Sequence, residues 1–163
     1  MESELVKTAK KIIEENIYFT LGTSSKNNRP WVTPLFYSFD ENLNLYWLSP
    51  KSSLHSKNIK GNSETSVVLF DSRAPKWTGL GVYMSGNTFE IEDKDEVEKG
   101  LRLENERLEE PIPSYEGFIG DNEYRVYKFV PSKIWITHDI KDEKGNTIDH
   151  RAEIKKEDLL NSF

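Results

Sequence analysis

The apolar positions change period several times along the chain. Between Glu4 and Asn16, Leu5, Ala9, Ile12 and Ile13 fall on one helical face, with Lys7, Lys10, Lys11, Glu14 and Glu15 elsewhere. That spacing predicts an amphipathic helix with Ser3 as its N-cap. Ile17 to Ser24 is rich in β-branched and aromatic residues and predicts a strand. Lys26-Asn27-Asn28 has turn chemistry, because Asn tolerates a positive φ. A second strand is expected from Trp31 to Phe39, with Pro34 marking an edge or a bulge since it donates no ladder hydrogen bond. Asp40 to Asn44 turns the chain again, and Leu45 to Leu48 forms a third strand. Connections this short suit antiparallel neighbours and are too short for parallel crossovers.

Ser49 to Ser53 is a polar loop, and Leu54 to Lys60 reads as a short helix capped by Ser52 or Ser53 and stopped at Gly61-Asn62. Thr65 to Phe70 is apolar enough to predict burial on both faces. Gly79 to Ile91 is a long strand in which Gly86-Asn87 permits a bend or bulge. Asp93 to Leu108 is a charged helix, capped by Asp93 or Asp95, with Val97, Leu101 and Leu108 as its apolar stripe. After a loop from Glu109 to Asp121, Tyr124 to His138 holds one or two strands broken at Pro131. Lys141 to Phe163 is a polar C-terminal extension with a hairpin signal at Lys144-Gly145-Asn146 and a closing turn near Leu159. Residues 1–163 are expected to form one domain, mainly β: a closed or nearly closed barrel of six or seven short antiparallel strands, covered or plugged by helices.

Composition removes several function classes. The chain has 22 Lys and Arg against 28 Asp and Glu, a net charge of -6, which argues against a nucleic-acid partner held through phosphates. The lack of cysteine excludes disulfides, thiolate metal sites and a cysteine nucleophile. With three histidines spread from His55 to His150, no metal site is expected. No apolar run spans a bilayer and no signal-peptide core follows Met1, so a cytoplasmic protein without a membrane partner is expected. There is no G-x-S-x-G elbow, and Gly79-x-Gly81 leads into a strand instead of a helix, so it is not a phosphate loop.

The densest chemistry lies from Leu45 to Ile59, where a strand ends and a loop with three serines opens into a helix. Free N–H groups at that helix start favour anions. Ser49, Ser52, Ser53 and Ser56 add hydroxyl donors there, and Lys51, His55 and Lys57 add positive charge beside a phosphate. A serine that only caps a surface helix, among solvated lysines, explains the same local composition. Trp31 and Trp77 can stack on a ring or pack in a core or interface. His138 and His150 read as surface or interface residues. Glu104, Glu106, Glu109 and Glu110 read as a solvated helix face.

From Phe19 to about Ile91 the chain resembles the flavin-binding split-barrel family related to pyridoxamine 5′-phosphate oxidase. The resemblance rests on Thr20-Leu21-Gly22-Thr23, the turn Asn28-Arg29-Pro30, the strand Trp31 to Tyr37, Leu45 to Ser49, the helix His55-Ser56-Lys57-Asn58-Ile59, the strand Thr65 to Asp71 and Gly81 to Gly86, in that order. It implies a six-stranded antiparallel split barrel that forms a homodimer and binds FMN between subunits. It also implies that Thr33, Pro34 and Leu35 lie along the flavin ring, and that Leu48 and Ser49 sit near the ring and ribityl chain. Ser53, His55 and Ser56 would hold the phosphate, with Lys57 close by. The implied activity is flavin-dependent oxidation or reduction of a small molecule, with a separate electron donor. No catalytic side chain is implied.

The chain departs from true pyridoxamine phosphate oxidases. Their Arg and Lys on the first flavin strand stand here as Thr33 and Ser38, and their Ser-Arg-Lys phosphate segment as Ser53-Leu54-His55. Their C-terminal substrate motifs are absent, so vitamin B6 oxidation is not the first expectation. Two alternatives follow. One is a non-enzymatic barrel that carries or senses flavin, haem or another small ligand. The other is a deazaflavin-dependent reductase, which the acidic balance disfavours. A dimer is also expected to cover apolar faces bearing Trp31, Trp47 and Trp77.

Overall fold

The computed structural model describes residues 2–163, with side chains from Glu4 onward. Helix α1 (Glu2–Glu15) places Val6, Ala9 and Ile13 in the core. It begins at Glu2, so Ser3 lies inside it and is not its cap; the Ser3 side chain falls outside the described residues. Strands β1 (Tyr18–Ser24) and β2 (Pro30–Phe36) pair in register from Tyr18–Phe36 to Ser24–Pro30. Pro34 sits in β2, an edge strand, where its missing N–H costs no ladder bond.

The strand expected from Trp31 to Phe39 is split. Tyr37 alone separates β2 from β3 (Ser38–Phe39), which pairs with β4 (Leu45–Pro50). The strand order is β2-β1-β5-β6-β7-β4-β3, so β2 and β3 stand at opposite ends of the sheet. One residue spans only about 3.5 Å. The two ends must therefore meet, and the sheet is curled into a split barrel. Tyr37 is fixed at this seam: its hydroxyl donates to the Ile13 carbonyl at 2.5 Å, and Arg107 donates to its carbonyl at 2.9 Å. The same guanidinium donates to the Asn16 carbonyl at 2.6 Å and lies over the Tyr37 ring.

Strand β5 (Glu64–Phe70) alternates buried and exposed, so it buries one face and not the two that its apolar content suggested. Val67 and Leu69 point into the core, and Ser66, Val68 and Phe70 point out. Strand β6 (Gly81–Ile91) pairs with β7 (Tyr124–Thr137), which runs unbroken through Pro131. The register shifts between Ser85 and Gly86: Ser85 faces Lys133 and Gly86 faces Pro131, leaving Ser132 as the extra residue of a bulge. The bulge, not a strand break, accommodates the proline. Inside the barrel, Trp47 stacks on Tyr127 with centroids 5.7 Å apart and meets Phe19 edge-on at 5.3 Å. Trp47 is thus a core residue and does not belong to a face that awaits a partner.

Helix α3 (Lys94–Leu108) is capped by Asp93. Its buried stripe is Val97, Gly100, Leu101, Glu104 and Asn105, while Leu108 is exposed, so the stripe differs from the one the sequence predicts. The helix is docked by charge as well as by packing. Lys99 Nζ lies 2.8 Å from the wholly buried Asp40 carboxylate, and Lys128 Nζ lies 2.6 Å from Glu96. The C-terminal extension is only partly polar in role. It forms the hairpin β8 (Ile140–Lys141) and β9 (Thr147–Ile148), with Gly145 at φ 81°, then β10 (Arg151–Ile154) against β7. A last helix, α4 (Lys156–Leu160), buries Leu159.

The outer sheet face stays open. A cross-strand row runs Pro34, Thr20, Val68, Tyr83, Trp135 over β2, β1, β5, β6 and β7, flanked by exposed Val32, Tyr18 and Phe70.

Candidate functional site

Helix α2 (Leu54–Gly61) packs against β1, β2 and β6 at the mouth of the barrel. Ser53 is its N-cap, accepting from the Ser56 amide at 3.3 Å. The hydroxyls at this end form one chain. Ser49 Oγ lies 2.9 Å from His55 Nε2, which lies 3.1 Å from Ser53 Oγ, which donates to Ser56 Oγ at 2.8 Å. Ser49, His55 and Ser56 are buried. Burial holds the His55 pKa below the ordinary imidazole value, so the ring is neutral at pH 7. The sequence reading gave His55 a positive charge beside a phosphate; its burial withholds that charge.

Two first-turn amides, Leu54 and His55, have no acceptor among the described residues, because Ser53 serves Ser56 and Lys57 through its hydroxyl and carbonyl. Lys57 is exposed on the same turn. The neighbouring loop is already engaged: Lys51 donates to the Asp121 carbonyl at 3.0 Å, and the Ser52 amide donates to the Glu123 carboxylate at 3.0 Å.

On β2 the three singled-out residues divide by strand alternation. Pro34 is exposed on the outer face, opposite Thr20, while Thr33 and Leu35 pair with the buried Leu21 and Phe19. The Thr33 hydroxyl is buried and has no hydrogen-bond partner. On β4, Ser49 joins the α2 chain, but Leu48 packs with Tyr46, Val97, Leu101 and Val126 under α3. The structure therefore gathers Ser49, Ser53, His55, Ser56 and Lys57 at one helix end. It turns the side chains of Leu48 and Pro34 elsewhere.

Beyond Ser56 lies a hollow of about 530 Å³, lined also by Ile59, Lys60, Asn62, Thr88 and Phe89. Its floor carries Tyr127, which donates to Glu90 at 3.3 Å, and Arg125 Nε binds the same carboxylate at 3.0 Å. Sequence reasoning missed this triad, since Glu90 and Arg125 are 35 residues apart and meet only through the β6–β7 register. It also missed the burial of Glu104, which lies on the inner side of α3 with Oε2 unpartnered. The Glu-rich composition there gave no signal of it. His138 and His150 face each other, their ring centroids 6.4 Å apart. Among the described residues, no helix is long and apolar enough to cross a membrane, and no cluster of three or more His, Asp or Glu is arranged to hold a metal.

A curled antiparallel sheet with a serine-capped helix against it defines a split-barrel protein of the pyridoxamine phosphate oxidase-like fold. Residues 5–138 match the family model described as pyridoxamine 5′-phosphate oxidase, and the chain belongs to that family. No curated protein matches the sequence. Among solved structures, the chain is similar to a haem binding protein from Mycobacterium smegmatis (TM-score 0.68, 13% identity, 96% of this chain and 60% of that one). It is also similar to Atu2129, a protein of unknown function from Agrobacterium tumefaciens (TM-score 0.67, 16% identity, 90% and 61%). HutZ, a haem storage protein from Vibrio cholerae, is a third (TM-score 0.68, 16% identity, 80% and 92%). The chain spans about three fifths of the length of the first two. At these identities the likeness shows the fold.

Proposed function

We propose that this protein is a homodimeric FMN-binding flavoprotein that oxidises or reduces a small molecule. The observation that carries the reading is the buried, unpartnered Thr33 hydroxyl on an edge strand that packs against α2. A buried hydroxyl without a partner costs about 1–3 kcal/mol, and a polar ring edge would supply the partner. The unpaired edge of β2 offers further backbone donors and acceptors to such a ring. The Leu54 and His55 amides would meet the phosphate, and Lys57 would balance its charge. The serine–histidine chain holds the helix end in place, because each of its hydroxyls is tied to the next. Bound flavin would supply the electron or hydride transfer, and the protein would orient it and shield it from water.

The absorbance spectrum of the purified protein, before and after FMN is added, tests this directly. Flavin bands saturating at one FMN per chain are expected; a protein that stays colourless with millimolar FMN would end the reading. Thr33→Val separates the roles of the hydroxyl. It should weaken FMN binding about fivefold while leaving the flavin-free protein as stable as the parent or more so. Equal loss of both would make Thr33 merely structural. Rapid reduction of bound FMN by a nicotinamide cofactor would distinguish an enzyme from a carrier.

The open row of Pro34, Thr20, Val68, Tyr83 and Trp135 is the face we assign to the dimer. Val68→Asp puts an unpaired charge at its centre, so light scattering should fall from twice 19.0 kDa to the monomer mass. An unchanged dimer would move the interface elsewhere.

A second reading, a haem carrier, is favoured by the likeness in fold to a haem binding protein and a haem storage protein and by the His138–His150 pair. A Soret band that saturates at one haemin per chain and is lost in His150→Ala would support it over the flavin reading.

A further inference from the structure

A second hollow, of about 910 Å³, lies on the outer face of β6, β7 and β10, bounded by the loop between β5 and β6 and by the β9 strand. Its size suits a small organic ligand. Trp77 on that loop is 90% exposed and holds φ at 72°. Left-handed backbone is unfavourable for a bulky L residue, and here no burial of the ring offsets it. Sequence reasoning offered stacking or core packing for Trp77, and its exposure removes the core option.

We propose that this hollow binds a flat aromatic acid that also carries an N–H donor. The ring would stack on Trp77 above a floor made by Tyr83, whose ring lies under the Arg151 guanidinium at 4.5 Å. Arg151 is ion-paired with Asp149, so this pair adds shape and little net charge. Lys76 Nζ lies over the Trp77 ring at 4.8 Å and has no carboxylate within ion-pair distance among the described residues, which assigns it the ligand's anionic group. Asp139 on the lining likewise has no donor or cation among the described residues, which assigns it the N–H. None of these residues belongs to β2, β4 or α2, so the hollow is separate from the FMN site proposed above, and it meets the proposed dimer face at Tyr83.

The test titrates 6-amino-2-naphthoate into the full chain, without FMN, and follows the Trp77 Nε1–H resonance, assigned with Trp77→Phe. A saturable shift of that resonance is expected. Trp77→Ala should weaken binding at least tenfold while the other backbone resonances keep their positions. Lys76→Gln should weaken the acid about fivefold and leave its methyl ester unchanged, and Asp139→Asn should affect the amino acid but not 2-naphthoate. An unmoved Trp77 resonance at millimolar probe, or acid and ester bound alike by the parent protein, would overturn the proposal. So would a Trp77 resonance that moves on protein dilution instead, since that would make the loop an interface between copies.

Discussion

Gly86→Ala should cost the fold more than about 3 kcal/mol and lower the thermal midpoint by on the order of 10 °C. Gly86 is buried in β6 at the bulge, opposite Pro131. A Cβ at this position would stand 2.1 Å from the Val130 carbonyl oxygen and 3.0 Å from the Phe129 ring. The oxygen is backbone in the neighbouring strand, so it moves only if the β6–β7 ladder opens. That ladder is the longest in the sheet and carries the core residues Met84, Phe129, Ile134 and Ile136. The requirement is for space, because Gly86 is not among the positive-φ residues. Gly117→Ala is the control, since nothing lies within 4 Å of the added Cβ. Urea and thermal unfolding of the two variants decide the matter; a Gly86→Ala midpoint within 2 °C of the parent would show that the bulge yields.

Glu104→Gln should stabilise the protein at pH 8 by roughly 3 kcal/mol at most, and hardly at all at pH 4. Burial, and then the nearby Glu110 charge, raise the Glu104 pKa from 4.5 to about 7. A raised carboxyl pKa means that the native state holds this proton more tightly than the unfolded chain. Native stability is therefore fully present below pH 4.5. It falls as pH rises through about 7, where a buried charge must form without a partner. Glutamine keeps the shape and removes that charge. Denaturation midpoints of parent and variant across pH 4 to 9 should converge at the acid end and separate above neutrality. A constant gap at every pH would mean that Glu104 acts through packing alone.

The two effects come from different physics, one from space in the β6–β7 ladder and the other from charge buried under α3. α3 is anchored by Lys99 to the buried Asp40 carboxylate and by Lys128 to the partly exposed Glu96. Asp40 is the best satisfied of the group. It accepts from the Asn42 and Asn44 amides, from Tyr46 and from Lys99; against burial, which raises its pKa, the bonds from Lys99, Asn44 and Asn42 hold it below the ordinary carboxylate value.

Local chemistry was enough to determine most elements of this protein. The helical spacing of Leu5, Ala9, Ile12 and Ile13, the caps at Ser53 and Asp93, the Asn28 turn and the Gly145 hairpin all act within a few residues, so their signals lie in the sequence itself, although the structure buries Val6 more deeply than Leu5. Pro34 likewise announced an edge or a bulge, of which the structure has the edge, and the ordered motifs from Phe19 to Ile91 announced the family. Only the tertiary structure decided what depends on distant partners. Tyr37 divides one apparent strand in two because the barrel seam falls there, and Pro131 continues a strand because Ser132 bulges opposite Gly86. His55 is neutral because the barrel mouth buries it, and Glu104 is buried because α3 turns that face inward. Residue types set what each segment can form. Which charges lose their water, and which faces meet, follow from contacts between segments that no local pattern encodes.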